Sequence, residues 1–399
     1  MTDDKSSNRI RVTFLLPARG IQPSGGFKVV YEYANFLATR GHQVQVVHPN
    51  LLHIDQPLLS FGPRMILRIL LRYLGMKISR RYRPDHWFPV NPAVRMSWTH
   101  SLAAKNIPDA DAVIATAWET AEWVQTYPPN KGRKFYLIQH LETWSGPEER
   151  VMNTWKAPLE KIVIAGWLQK IATDLGETSH LIHNGMDLSR FNMVVPPEER
   201  DPHQLLMLYH YVTWKGSADG LDAFAIAQRS IPGLRLTLFG IDPAPPDLPS
   251  GIEYHQQPSQ QKLNALYNEA AIFISPSWTE GWGLPPAEAL LCGASIAVTR
   301  GGADEAFAID EETALVSPIK DPAALAANIV RLVRDTELRL RLGRQGRALV
   351  QRFTWERSGA ALEALIRDTV ASSPRDHAQE PGLGDTIPLS SSTLEETHR

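Results

Sequence analysis

The chain holds 1 cysteine in 399 residues, so no internal disulfide framework is available to it. That residue, Cys292, sits in the run EALLCGAS and reads as a small buried hydrophobe rather than a nucleophile. No uninterrupted apolar run is long enough to span a bilayer. The polar, acidic start MTDDKSSNRI lacks the apolar stretch of a secretory leader, so the expectation is a cytoplasmic protein. Excess charge is missing too. Lys and Arg number 41 against 43 Asp and Glu, a net −2 that gives no global reason to expect nucleic acid as a partner. With 43% hydrophobic and 21% charged residues the composition is that of a globular enzyme, and its length exceeds one ordinary core. Two domains are expected.

Strand-like apolar runs alternate with helix-period segments twice over, the pattern of parallel, doubly wound α/β sheets. The first half runs RIRVTFLLP, a glycine loop, a helix from about Phe27 to Arg40 ended by Gly41, and QVQVVHP. DAVIATA, KFYLIQH, KIVIAG and HLIHNG follow as further strands. The second half restarts at QLLMLYHYV and continues through LRLTLFG, IEYHQQ, AIFISP, SIAVTR and TALVSP. Between them the proline-bearing stretch MVVPPEERDPHQ reads as a linker. The division expected is an N-terminal domain over 1–192, a C-terminal domain over 193–354, a crossing helix over 355–371 and a disordered tail over 372–399, which is rich in Ser, Pro and Gly. Two such halves leave a cleft facing the carboxyl ends of both sheets.

The densest chemistry lies where AIFISPSW empties into the loop between Glu280 and Glu288. Pro285 and Pro286 open a helix there, where a missing N–H costs nothing. Gly281 and Gly283 let backbone N–H groups approach a ligand, and Glu288 is expected in the first helical turn. Two carboxylates, a free helix N-terminus and a permissive backbone suit a ligand bearing both hydroxyls and phosphates, such as a nucleotide sugar.

The stretch SPSWTEGWGLPPAEALLCGASIAVT closely resembles the C-terminal signature of family 4 glycosyltransferases (glycosyl transferases group 1), with Trp282 where that family usually has Phe. LIHNGMDLSRF, PSGGFKVVYEYANFLATRGHQVQVV, VTRGGADE and RFTWERSGAALEALI resemble further segments of the same family. The resemblance implies a GT-B fold, two Rossmann-like domains facing each other across a cleft. It implies transfer of a sugar from a nucleotide-diphosphate donor to a hydroxyl acceptor with retention of configuration. By the same resemblance Glu288 would bind the ribose hydroxyls and Glu280 the hydroxyls of the transferred sugar. Gly281, Trp282, Gly283 and Leu284 would cap the diphosphate at the helix start, and Lys215 would neutralise it.

Where the family commonly carries an arginine, this chain has His210; either His210 supplies a weaker contact to the donor or another basic residue reaches in, and the arginine role is left unassigned. Gly25 and Gly26 precede the first helix with Ser24 as a cap, and read either as a flexible turn or as backbone that approaches the diphosphate or the acceptor. His140, at the end of KFYLIQH, reads either as a structural residue or, by resemblance, as a cleft histidine near the reacting sugar. His183 reads as a packed strand residue. The histidines lack metal-ligand spacing and no DxD-like pair is present, so metal independence is expected, with no cofactor beyond the donor.

One basic segment stands apart. Over 61–84, Arg64, Arg68 and Arg72 recur at successive fours and Lys77, Arg80, Arg81 and Arg83 follow, with Met65, Ile66, Ile69, Leu70, Tyr73 and Leu74 as the apolar remainder. It reads either as an amphipathic helix packed on the N-terminal domain or as a helix on an anionic membrane surface, which would make the protein peripheral on the inner face of a membrane. The acceptor expected is a saccharide or a lipid-linked glycan in cell-surface polysaccharide synthesis. The rival readings are a sugar phosphorylase or nucleotide-sugar epimerase on the same fold, and an inactive nucleotide-sugar-binding protein.

Overall fold

A computed structural model of the protein describes residues 9–245 and 248–372, so the tail expected over 372–399 lies, beyond Ser372, outside the described residues. The first half contains β1 (Arg11–Leu15), α1 (Gly25–Thr39), β2 (Gln43–Leu51), α2 (Pro63–Ser79), β3 (Arg95–Ser101), β4 (Ala112–Ala115) and α3 (Trp118–Gln125). It continues with β5 (Arg133–Ile138), α4 (Glu148–Trp155), β6 (Glu160–Val163), α5 (Gly166–Asp174) and β7 (His180–Leu181). The second half contains β8 (Gln204–Leu208), α6 (Ser217–Ser230), β9 (Arg235–Gly240), β10 (Ile252–Gln256), α7 (Gln260–Glu269) and β11 (Ile272–Ser275). It closes with α8 (Leu284–Leu291), β12 (Ser295–Thr299), β13 (Leu315–Ser317), α9 (Pro322–Arg334), α10 (Thr336–Val350) and α11 (Trp355–Ala371).

All strand pairs are parallel, in the orders β3-β2-β1-β4-β5-β6-β7 and β10-β9-β8-β11-β12-β13. Helices cover the faces of both sheets, which is why their inner strands read as near-continuous apolar runs; β4, β11 and β12 are buried at every position. In each sheet the winding reverses beside the first strand, between β1 and β4 and between β8 and β11. A crevice opens beyond the carboxyl ends of strands at such a switch point. The glycine loop follows β1, Lys215 follows β8 and Glu280 follows β11, so the topology alone brings these three segments to the two crevices.

The stretch read as a linker is pinned rather than loose. Arg200 within it is buried, and its guanidinium donates to Val195 O (2.7 Å), Ala270 O (2.9 Å), Tyr267 O (3.2 Å) and Cys292 O. The last helix returns to the first half. In α11, Gly359 lies against the Phe36 ring, where a Cβ would collide, and Trp355 meets Tyr33 edge-on at 5.5 Å. Buried Glu363 accepts from Arg40 (3.0 Å), His42 (3.1 Å) and Arg367 (2.9 Å). Cys292 is buried as expected, and burial pushes its thiol up to about 12.

Candidate functional site

Glu280 follows β11 by way of Ser277, and both its oxygens accept from Lys215 Nζ at 2.8 Å. Ser277 Oγ donates to Glu280 Oε1 at 2.7 Å, so the carboxylate is oriented from two sides. Lys215 ends a single turn of 3₁₀ helix (Thr213–Lys215), and Gly216 then adopts a left-handed φ of 63° to start α6. Glycine is required at 216 twice over, because a Cβ would also strike the carbonyl of Pro276.

Glu288 is the fifth residue of α8, not a first-turn residue, since the helix opens at Leu284 with no acidic group in its first turn. It is buried. Tyr267 donates its hydroxyl to Oε2 at 3.0 Å, and Lys28 of α1 donates to Oε1 at 2.9 Å from the opposite domain. Lys28 was missed in the sequence. Its position one turn into a helix that opens on Gly25-Gly26 is the signal that places it at the crevice.

The helix starts themselves converge. α1 opens at Gly25, so Gly25 and Gly26 form its first turn rather than preceding it, and Ser24 makes no side-chain cap. A Cβ on Gly25 would lie 3.6 Å from Leu284 Cδ1, the first residue of α8. Neither helix has a side-chain cap or an acidic residue in its first turn. Two unneutralised positive dipole ends therefore meet beside Lys28 and Lys215, an arrangement suited to an anion. Gly283, with φ 87°, turns the chain into α8 in the left-handed region.

Trp282 does not present its ring to the cleft. It is buried between Phe307 (4.8 Å) and Phe353 (5.5 Å), which leaves only its backbone for a ligand. Gly281 lies against the other domain, where a Cβ would collide with Gln139 O, and Gly281 O accepts from Trp167 Nε1 at 3.2 Å. The glycine pair of VTRGGADE has a packing role. Cβ atoms there would strike Trp278 O and Ser275 O, so Gly301 and Gly302 let their loop lie flat against the segment that carries Glu280.

His140 bridges the domains. Its Nδ1 accepts from Leu141 N (2.8 Å) and its Nε2 faces Thr279 Oγ1 (3.0 Å), while Trp144 and Trp167 pack edge-on at 4.2 and 5.1 Å. Burial, and then the charge of Lys215, pushes its pKa down to about 3. The ring is neutral, and with Nδ1 accepting, the proton sits on Nε2 and is donated to Thr279 Oγ1 across the domain interface. Two residues on, Glu142 has φ 61° and accepts from Trp118 N (2.9 Å); burial pushes its carboxyl up to about 8. His210 supplies no cation. Burial lowers its pKa, with Lys215 adding to the effect, and Nδ1 accepts from Val212 N at 3.0 Å. His183 Nδ1 lies 3.1 Å from Ile164 O, and its ring packs edge-on against Phe353. Among the described residues no cluster of three or more His, Cys, Asp or Glu has metal-holding geometry.

Two parallel-sheet domains with facing crevices and a helix returning from the second to the first define the GT-B fold. Residues 202–335 match the family model described as glycosyl transferases group 1. The chain is 31% identical over 173 residues to D-inositol 3-phosphate glycosyltransferase of Saccharomonospora viridis, covering 43% of this chain and 37% of that protein. It is 25% identical over 315 residues to glycogen synthase of Mycobacterium tuberculosis, covering 75% of this chain and 72% of that one. The matched region thus spans 37% of the first relative's length, well short of the whole. Among solved structures it is similar to sucrose-phosphate synthase of Thermosynechococcus elongatus, with a TM-score of 0.66 and 18% identity over 92% of this chain and 100% of the other. HepE of Anabaena in complex with UDP-glucose gives a TM-score of 0.65 and 14% identity over the same shares, 92% and 100%.

Proposed function

We propose that this protein transfers a glycosyl group from a nucleotide-diphosphate sugar to a hydroxyl acceptor. The observation that carries the reading is the meeting of two helix N-termini beside two acid–lysine pairs, Lys215–Glu280 and Lys28–Glu288. Each pair is a satisfied ligand site in waiting. A diphosphate would draw Lys215 toward itself and release Glu280 to accept from hydroxyls of the transferred sugar. Glu288, held by Tyr267 and Lys28, retains lone pairs for the ribose hydroxyls. As the sugar–phosphate bond breaks, charge grows on the leaving diphosphate, and Lys215 with the α8 N–H groups stabilises that charge more than the ground state.

Lys28 is our candidate for the cation that His210 does not provide. The neutral Nε2–H of His140, held by Thr279 Oγ1, would exchange that partner for a sugar hydroxyl without placing a second positive charge near Lys215. No carboxylate is assigned as a nucleophile. Retention, the configuration expected of this family, would follow if the acceptor attacks from the face the diphosphate leaves, its proton passing to a phosphate oxygen. With lysines and helix ends supplying the charge, transfer is expected to proceed without a metal ion. A saccharide or lipid-linked glycan is the proposed acceptor, in cell-surface polysaccharide synthesis on the inner face of a membrane.

Thermal-shift measurement against UDP-, GDP- and dTDP-sugars tests the donor, because a ligand that binds only the folded state raises the melting temperature. UDP-sugars are first in order, given the complex of HepE. Hydrolysis of the stabilising donor without acceptor then separates an enzyme from an inactive binding protein. A phosphorylase would require inorganic phosphate, and an epimerase would release free sugar. No stabilisation by any nucleotide sugar would refute the reading.

A further inference from the structure

Helix α2 has two apolar faces, and only one is used. Ile69 is buried against the domain, Trp98 Nε1 donates to Tyr73 O (3.1 Å), and Asn50 Nδ2 donates to Ile69 O (3.1 Å). Arg72 holds the same asparagine through Oδ1 (2.8 Å) and O (2.6 Å). The helix is therefore docked firmly, as the packed reading of 61–84 expected. Yet Leu67, Leu71, Leu74 and Ile78, at the i, i+4, i+7, i+11 spacing of a single stripe, are 59%, 60%, 51% and 83% exposed. An amphipathic helix that merely packs would show polar groups there.

The rim of this bare stripe is cationic. Arg64 and Arg68 lie along one flank, and Arg80 and Arg81 close the C-terminal end, all exposed. No acidic residue occurs between Asp55 and Asp85, and among the described residues none of these four arginines forms an ion pair. We infer that the outer face of α2 is a docking surface for an anionic lipid bilayer, with the four aliphatic side chains below the headgroups and the arginines on lipid phosphates. A second copy of the chain fits poorly, because a symmetric pairing of the stripe would set the same arginines against each other. Nucleic acid would satisfy the arginines and leave the leucines in water.

The position of the helix gives the surface a consequence, which rests on the proposed glycosyl transfer. Asn50 lies near the carboxyl end of β2, the same end of the sheet as the crevice. The segment leaving α2 is bonded to the glycine loop, with Gly20 N donating to Tyr82 O (2.8 Å) and Trp87 Nε1 to Gly20 O (2.7 Å). Docking by this face holds the acceptor side of the cleft next to the bilayer, within reach of an acceptor whose lipid stays in the membrane.

The test is flotation of the full chain with vesicles of phosphatidylglycerol and phosphatidylcholine mixed, and of phosphatidylcholine alone, at low and high salt. Binding is expected only to the anionic vesicles and should weaken with salt. The double substitution Leu71→Ser, Leu74→Ser, at exposed positions, should leave melting temperature and any nucleotide-sugar-induced shift unchanged while lowering vesicle partitioning by roughly tenfold or more. Arg64→Glu with Arg68→Glu should abolish the preference for anionic lipid. No binding at low salt, or binding indifferent to the leucine pair, overturns the proposal. So would a concentration-dependent dimer, or duplex binding, that the same leucine variant removes. Because vesicle binding is read without a donor, its failure is separate from failure of the donor reading.

Discussion

Lys28 Nζ of α1 stands 2.9 Å from Glu288 Oε1 of α8, joining residues 260 positions apart across the interface between the two domains. Both side chains are largely shielded, at 16% and 9% exposure, so neither charge is well solvated without the other. Lys28→Met leaves a buried carboxylate short of its partner and is expected to destabilise the protein by about 3 kcal/mol. Adding Glu288→Gln should recover part of that loss. A thermodynamic cycle over the two single variants and the double, by chemical denaturation, measures the coupling; additive losses would show that the pair does not interact in solution.

The two glutamates are expected to separate kinetically. Glu288→Gln weakens a contact made throughout the reaction and should raise the donor KM about tenfold, the worth of one charge-assisted hydrogen bond. Glu280→Gln weakens the acceptor for the hydroxyls of the transferred sugar and should lower kcat on the order of a hundredfold with smaller change in KM. Steady-state kinetics of both variants decide. Equal effects on the same constant would mean the roles are not divided as assigned.

Domain contact at Gly281 is tight enough to test by a single methyl. Gly281→Ala would drive a Cβ into Gln139 O, so the loop carrying Glu280 must withdraw from the N-terminal domain. Turnover is expected to fall by roughly two orders of magnitude, as a small misplacement of reacting groups does, while far-UV circular dichroism stays unchanged. Wild-type turnover in this variant would mean that the interface is open in the working enzyme.

Glu142 and His140 predict the pH dependence of stability. Glu142 titrates at about 8 in the fold against 4.5 normally, so the folded chain holds an extra proton between those values and loses stability as pH rises through them. His140 is displaced the other way, to about 3 from 6.5, so its contribution is present above 6.5 and is lost as pH falls toward 3. The slopes oppose each other between 4.5 and 6.5, where Glu32, raised by burial to about 7, adds to Glu142, and His48, lowered by burial to about 4, adds to His140. Above 6.5 Glu142 carries most of the slope, with Glu32 contributing up to about 7. Stability should therefore drop by roughly 2 kcal/mol from pH 6.5 to 8, and Glu142→Gln should flatten that drop. Melting temperatures across the range provide the check.

Trp282→Phe is expected to leave activity intact and change stability by about 1 kcal/mol or less, because two effects offset. The smaller ring leaves a void, while an indole N–H that is buried without a partner is removed. A large loss of donor binding would show that the ring meets the ligand.

The alternation of buried strands and amphipathic helices decided the fold, since a parallel sheet covered on both faces leaves its mark in nearly every inner strand. Local rules also drew attention to Glu280, Gly283 and Glu288, around a strand end, a glycine turn and a proline-opened helix, whereas Lys215 was singled out through the family resemblance. What the sequence left open was pairing at long range. Lys28 is one cation among 41 basic residues until α1 and α8 are set start to start. The motif put Trp282 beside the diphosphate but said nothing of its ring, which packing against Phe307 and Phe353 turns inward. His210 and His140 read alike as histidines near the cleft, and burial beside Lys215 makes both neutral. The segment 61–84 was legible as basic and amphipathic, but which of its apolar residues face the domain depends on how the helix docks. Charge state, partner and exposed face are properties of the surroundings of a side chain, and those surroundings exist only once distant segments have come together.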